Sequence, residues 1–360
     1  MAKIVDVARR AGVSVGSVSR VINEHPTVTP ARRERVELAV RELGYLPNAI
    51  AGSLRSRRSK TVGLIIPDVT NPFFNELALH VERSAAAAGY YVILGNSNNS
   101  VDQETHYLRA LAVRRVDGII LVPANETSRS IEIAIPVVGV DREVGGCPFV
   151  GSNSRAGAKS AIEYLHLLGH QLIACVAGPK NLLNAQERRM GYEDVALPIL
   201  RSVGVDPSAY IVSTDFSYDS GYAATRSLLE VAPRPTAIFT SSDQQAIGGL
   251  RAAVDLGLAV PRDLSIVGFD DIPLANLVMP RLTTVGQPVA EIGVLAMQLL
   301  LDLFSAAAPR RVDAVTCWRP HCRYDSLVRL RTQMVLFRPG KIKKLPCKLF
   351  YRRKEREFSW

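Results

Sequence analysis

Cysteine is nearly absent from the body of this 360-residue chain, where only Cys147 and Cys175 precede residue 313. That excludes a disulfide framework and fits a reducing compartment, so a cytoplasmic setting is expected. Long apolar runs are missing too. Asp, Arg and Gly interrupt every hydrophobic stretch below membrane-spanning length, and no apolar segment of signal-peptide type opens the chain. The motifs G-x-x-x-x-G-K-[ST] and H-E-x-x-H do not occur, which removes the phosphate-cradling loop and the zinc-protease helix. Gly12 to Gly16 formally fits the nucleophile elbow G-x-S-x-G, but a helical pattern precedes it where that chemistry needs a strand. Cys317, His321 and Cys322 cluster without the recurring Cys pair of a zinc site. An enzyme, a resident metal and a cofactor are therefore not expected.

What the chain does contain begins at its head. Ile4 to Asn23 reads IVDVARRAGVSVGSVSRVIN, a helix, a Gly-containing turn and a second helix. Ile4, Val7, Ala8 and Ala11 recur at helical spacing and would face a small core. Gly12 can end the first helix with a positive φ, and Ser14 can cap the second. Val15, Val18, Val21 and Ile22 form an apolar stripe, which leaves Ser17, Ser19, Arg20 and Asn23 pointing outward with groups that bond phosphates or base edges. Such a helix-turn-helix sets its second helix into the DNA major groove, and Val15 and Gly16 at its start would meet bases by apolar contact and close approach. A third helix follows, capped by Thr29, opened by Pro30 and stopped by Gly44.

Charge divides the chain independently. Residues 1–60 carry 12 Lys/Arg against 5 Asp/Glu, net +7; residues 61–308 carry 17 against 25, net −8; residues 309–360 carry 15 against 4, net +11. A basic head on an acidic body is the electrostatic footprint of a DNA reader joined to a module that does not bind DNA.

Between residues 61 and 305 short apolar strands alternate with helical patterns in two similar rounds. Alternation of this kind implies parallel sheets covered on both faces, and two rounds imply two doubly wound lobes with a ligand cleft at the strand ends. Asn71, Phe73 and Phe74 follow the first strand, where an aromatic face can stack on a sugar or base. Asp141 and Arg142 follow another strand and place a hydroxyl acceptor beside a cation.

The landmarks DVARRAGVSVGSVSRVIN, GYLPNAIAGSLR, IIPDVTNPFF, RRVDGIIL, VDR and LSIVGFDDI occur in one order over about residues 2–312. In these the chain resembles the lactose-repressor/galactose-repressor (LacI/GalR) family of bacterial transcription regulators. The resemblance implies an all-α helix-turn-helix DNA-binding head (residues 1–46), a hinge (47–60) and a periplasmic-binding-protein-like α/β core of two lobes (61–312). The chain would cross between lobes near Ser152, Asp271 and the end of the last helix. It also implies a homodimer on a pseudo-palindromic operator, controlled by a small effector, expected to be a sugar. Leu54 would wedge into the minor groove with Arg55 beside it. Arg188, Phe216, Ser242, Asp270 and Gln287 match positions lining the effector cleft. Gln186 departs from the pattern, because relatives carry an Arg there. A sugar-binding protein without a regulatory role is the alternative, and the basic head argues against it.

From about Asp313 the resemblance fails. Relatives close with a strand of the type L-P-T-x-L-V-V-R-x-S, whereas this chain turns basic and holds three of its five Cys and both Trp there. A reading-frame change near Val315 would explain this and would remove the closing strand of one lobe. A genuine basic extension touching DNA is the other reading.

Overall fold

The computed structural model describes residues 2–22, 25–45, 58–125, 133–142, 144–305 and 315–317. The head is three helices, α1 (Ile4–Ala11), α2 (Val15–Ile22) and α3 (Pro30–Leu43), closed on a core of Val7, Ala8, Ala11, Val18, Val21, Val36 and Ala39. Gly12 and Gly44 end α1 and α3 in the left-handed region, at φ 63° and 56°. Ser14 caps α2 as expected, its Oγ accepting the Ser17 N–H at 3.2 Å. Two details differ from expectation. Val15 leaves the apolar stripe and is 42% exposed, because it sits in the first turn of α2 beyond the small core. Thr29 makes no side-chain capping bond, and the fixed φ of Pro30 at the first helical position starts α3 instead.

The core is two all-parallel sheets. Lobe 1 contains β1 (Thr61–Ile66), β2 (Tyr91–Asn96), β3 (Gly118–Leu121), β4 (Val137–Val140) and β5 (Phe149–Ser152), with helices α4 (Pro72–Ala87) and α5 (Val101–Val113). Lobe 2 follows with α6 (Ser154–Leu167), β6 (Ile173–Ala177), α7 (Leu183–Ser202), β7 (Ile211–Ser213), α8 (Tyr218–Leu229), β8 (Ala237–Thr240), α9 (Asp243–Asp255), β9 (Ser265–Asp270) and β10 (Thr283–Gly286). The chain then returns to lobe 1 with α10 (Val289–Ser305) and β11 (Val315–Cys317). Strand orders are β11-β5-β4-β3-β1-β2 and β10-β9-β8-β6-β7.

Alternate residues of each strand feed opposite faces, the period-2 geometry of a strand covered on both sides. In lobe 1, Leu64, Ile66 and Ile120 pack under α4 and α10, while Ile65, Ile119 and Leu121 pack under α5. In lobe 2, Cys175, Phe239 and Val267 face one way and Ala174, Val176, Ile238 and Ile266 the other. Among the described residues, no helix is long and apolar enough to cross a membrane.

The crossings between lobes depart from expectation. The first lies at Ser152–Asn153, as anticipated, but the second lies at 286–289 rather than at Asp271. At that point the chain only touches lobe 1. Ile272 inserts its side chain into the lobe 1 core, and Ala275 is already back in lobe 2.

The tail also differs from expectation at its start. Val315, Thr316 and Cys317 pair in parallel with Val150, Gly151 and Ser152, so lobe 1 does gain an edge strand there. Backbone pairing needs no particular side chain, so VTC can serve despite its basic surroundings. Residues 318–360 lie outside the described residues.

The entry to lobe 1 is pinned. Asp117, just before β3, accepts the Ser59 N–H at 2.7 Å, the Ser59 hydroxyl at 3.0 Å and the Lys60 N–H at 3.1 Å. Arg58 donates to the Phe304 carbonyl at 2.8 Å, near the end of α10.

Candidate DNA-reading face and effector cleft

On the head, the first turn of α2 presents Val15 and Gly16 to solvent, with Ser17 and Ser19 half-buried beside them and Arg20 exposed one turn on. Ser17 is partly committed, its hydroxyl lying 3.0 Å from that of Ser14. Asn23, Leu54 and Arg55 lie outside the described residues.

In the core, parallel strands bring their carboxyl ends together where the lobes meet, and three aspartates there hold positive φ: Asp141 (61°), Asp270 (123°) and Asp271 (59°). A non-glycine residue in this region costs on the order of 1–3 kcal/mol and persists only where the surroundings impose it, commonly at ligand sites. Asp141 and Asp270 come from opposite lobes. Asn184 of α7 reaches across, its Nδ2 donating to Asp141 Oδ2 at 2.8 Å, and Asn181 donates to Asn125 at the same distance. Ser152 Oγ donates to Gln287 Oε1 at 2.6 Å, joining the two crossings.

Arg188 is the central cation. Its guanidinium donates to the Ser241 carbonyl at 2.6 Å, pairs with Asp270 Oδ1 at 3.2 Å and lies 4.0 Å from the centre of the Phe269 ring. The Phe216 ring stands 5.9 Å from it, half-buried at the lip. Gln287 Nε2 donates to the same Asp270 oxygen at 2.8 Å. Burial pushes the Asp270 carboxyl up to about 6, against the opposing pull of Arg188 and the Gln287 bond, and Asp141 adds to the rise.

The remaining expected residues take supporting places. Asn71 caps α4, its Oδ1 accepting the Phe73 N–H at 3.0 Å. Phe73 and Phe74 are not an open platform. They pack edge-to-face, 5.2 Å between ring centres, inside the lobe 1 core. Arg142 is turned to the Pro123 and Ala124 carbonyls, at 2.6 and 3.4 Å, with Asp141 at 3.8 Å. Ser242 caps α9 by accepting the Gln245 N–H at 3.2 Å and lies 3.4 Å from the Phe216 carbonyl. Gln186 donates to the Lys180 carbonyl at 2.7 Å, away from the Asp–Arg cluster.

Three contributors were not anticipated. Asn184 and Asp243 begin helices, where polar residues are ordinary, and Ser152 ends a strand. Only their contacts mark them. A cavity of about 350 Å³ shares Gln287 and Asp271 and is lined also by Glu76, His80 and Glu291. Burial and the charge of Asp271 both raise the Glu76 carboxyl. Among the described residues no group of His, Cys, Asp and Glu is arranged to hold a metal.

Comparison with known proteins agrees with this architecture. Residues 3–48 match the model for bacterial regulatory proteins of the lacI family, and residues 162–323 match the periplasmic binding protein-like domain. The second match runs on past residue 312 into the start of the tail. The ribose operon repressor of Halalkalibacterium halodurans is 42% identical over 303 residues, 84% of this chain and 90% of that protein. A lac repressor dimer bound to operator and the anti-inducer ONPF superposes with a TM-score of 0.75 at 26% identity, over 91% of this chain and 99% of that one. A LacI family transcriptional regulator from Enterococcus faecium with bound ribose gives 0.65 at 30% identity, over 75% and 100%. These relatives are transcription regulators, not enzymes, and the two family matches fall in order on the head and on the two-lobed core: the chain belongs to the LacI family of bacterial regulatory proteins.

Proposed function

We propose that this chain is a cytoplasmic repressor that binds a pseudo-palindromic operator as a homodimer and is controlled by a sugar in the interlobe cleft. Residues 1–46 form its DNA-binding domain, 47–60 its hinge and 61–312 its effector and dimerisation core. On the DNA side Val15, Gly16, Ser17, Ser19, Arg20 and Asn23 read the major groove, and Leu54 and Arg55 the minor groove.

The observation that carries the effector reading is that Asp141 and Asp270 stand on strand ends of opposite lobes, Asp141 joined to Asn184 of the facing lobe and Asp270 paired with Arg188. Two carboxylates and a guanidinium offer acceptors and a donor for a polyhydroxylated ring, and Phe216 offers it a face. Asp270 commits one oxygen to Arg188 and Gln287, which leaves the other for a ligand hydroxyl. Asn71, Phe73, Phe74, Arg142 and Ser242 shape the site from behind. The similarity to a ribose operon repressor and to a ribose-bound regulator favours a pentose.

A dimer is supported by two exposed apolar surfaces. The edge strand β2 shows Tyr91 at 79% exposure with Ile93 and Leu94 beside it, and lobe 2 shows Leu277 and Met279, the latter 94% exposed. An unpaired edge and bare apolar side chains are costly on a monomer. The test is calorimetric titration of the full chain with D-ribose, a hexose panel and purines, beside sedimentation and operator gel shifts. Binding of a pentose with altered operator affinity supports the reading. Purine binding alone retains the ring-stacking and removes the sugar. Sugar binding with no DNA binding selects the sugar-binding protein.

A further inference from the structure

Asp243 is fully buried at the first position of α9, and none of the expected contacts to DNA or effector uses it. Its carboxyl joins two separate pieces of chain. Oδ2 accepts the Ile272 N–H at 2.8 Å, and Oδ1 is hydrogen-bonded to the hydroxyl of Thr284 in β10. The same Thr284 oxygen accepts the Asp271 N–H at 3.3 Å. The Ile272 side chain is seated in the lobe 1 core, whereas Asp243 and Thr284 belong to lobe 2. The space for this carboxyl is provided by Gly268 of β9, where a Cβ would collide with Asp243 Oδ1.

We propose that Asp243 is a positioning residue for the effector cleft: it ties lobe 2 to the segment that lobe 1 anchors, and so fixes where Asp270 and Gln287 stand. Asp270 is two residues before Ile272, and Gln287 is three residues after Thr284, so both ligand-side groups hang from the two points that Asp243 joins. Release of either bond frees the 270–272 turn to swing, and with it the oxygen that Arg188 and Gln287 hold.

Burial, reinforced by the negative charge of Asp270, raises the Asp243 carboxyl well above its ordinary range, against the opposing pull of the Thr284 and Ile272 hydrogen bonds. Each of its two oxygens accepts one hydrogen bond, Oδ2 from the Ile272 N–H and Oδ1 from the Thr284 hydroxyl. Asparagine keeps the shape and the acceptor for Ile272 N–H but puts an amide donor where the Thr284 hydroxyl donates.

The proposal rests on the reading of the cleft as an effector site, and its test separates the two. Hydrogen exchange over residues 268–287 is measured in the full-length native chain and in Asp243→Asn, Asp243→Ala and Thr284→Val, with D-ribose titrated into each. Loss of a buried partner should speed exchange at the 270–273 turn about tenfold or more in Asp243→Ala and Thr284→Val, with β1 and β6 unchanged. Asp243→Asn, which keeps the Ile272 bond and loses the Thr284 one, should fall between the native chain and Asp243→Ala. Ribose affinity should follow the same order. Equal exchange at the turn in all four chains overturns the proposal. If ribose fails to bind the native chain, the sugar reading fails and the exchange comparison still decides the role of Asp243.

Discussion

Arg188 and Asp270 form a buried ion pair, 3.2 Å long, through the one Asp270 oxygen that also takes the Gln287 amide. The pairing is economical for a binding site. It holds the carboxylate in place with one oxygen and leaves the second for exchangeable partners. Breaking such a pair by removing one member strands the other charge in a dry setting, which is costly.

Asp270→Ala should therefore abolish the ligand response while leaving operator binding near its basal level, because the head is remote from the change. Titration of operator with and without sugar checks this, and a variant that still responds removes Asp270 from the site. The companion Arg188→Ala should lower thermal stability more, since it removes the cation beside Asp270 and the donor to the Ser241 carbonyl.

The effector response should weaken in acid. With Asp270 raised to about 6, ligand hydroxyls exchange a charged acceptor for a weaker neutral one as pH falls below that value, and affinity should drop by at most about tenfold per pH unit. The unliganded chain should show the opposite trend in stability. Between 3.8 and about 6 the folded carboxyl holds its proton while an unfolded one has lost it, so this group makes stability fall as pH rises. Asp270→Asn should flatten both profiles. Calorimetry and melting curves at stepped pH measure them.

Arg20→Ala should cost about 1–3 kcal/mol of operator affinity, the usual worth of a base-reading contact. Gel shifts at one fixed salt concentration suffice. Unchanged affinity would exclude Arg20, whose side chain is exposed on α2.

Asp117 should matter to coupling more than to either site. Its carboxylate takes three donors from Ser59 and Lys60 at the mouth of lobe 1. Asp117→Ala should leave sugar affinity intact and reduce the change in operator affinity that the sugar produces. Equal coupling in both chains would show that this bracket is dispensable.

Truncations separate the two meanings of the tail. Ending the chain after Cys317 keeps β11 against β5 and should preserve the melting temperature, whereas ending it after residue 312 removes that strand and should lower it. Loss of operator affinity with a reduced salt slope on removing residues 318–360 would mark the tail as a DNA contact.

The head and the strand–helix alternation were readable because both rest on local periodicity. Ile4, Val7, Ala8 and Ala11 repeat at helical spacing, and TVGLII is a strand in any context of this class. The site was half readable. Asp141 and Asp270 end strands and could be placed, but their left-handed backbone is imposed by the packed lobes, which leaves no trace in residue type. Phe73 and Phe74 misled for a related reason: a residue just after a strand faces either the cleft or the core, and a helix beginning at Pro72 turned both rings inward. The second crossing was displaced because β10 is only four residues long and lies between prolines. Asp243 looked like an ordinary acid in the first turn of a helix, where the helix dipole favours one.

The division of lobe 1 into two stretches, 61–152 and 289–317, has a consequence for birth rather than for binding. Lobe 2 is one continuous stretch and can close on the ribosome as soon as β10 emerges. Lobe 1 has to wait, its β-sheet bare where α10 will cover it and open along the edge that β11 will fill, until about 165 further residues, from 153 to 317, have been made. During that interval Ile120 of β3 and Val138 of β4 lack the cover that α10 will give them. The half-made lobe is thus the natural client for a chaperone, and a change that slows synthesis through lobe 2 endangers lobe 1 instead.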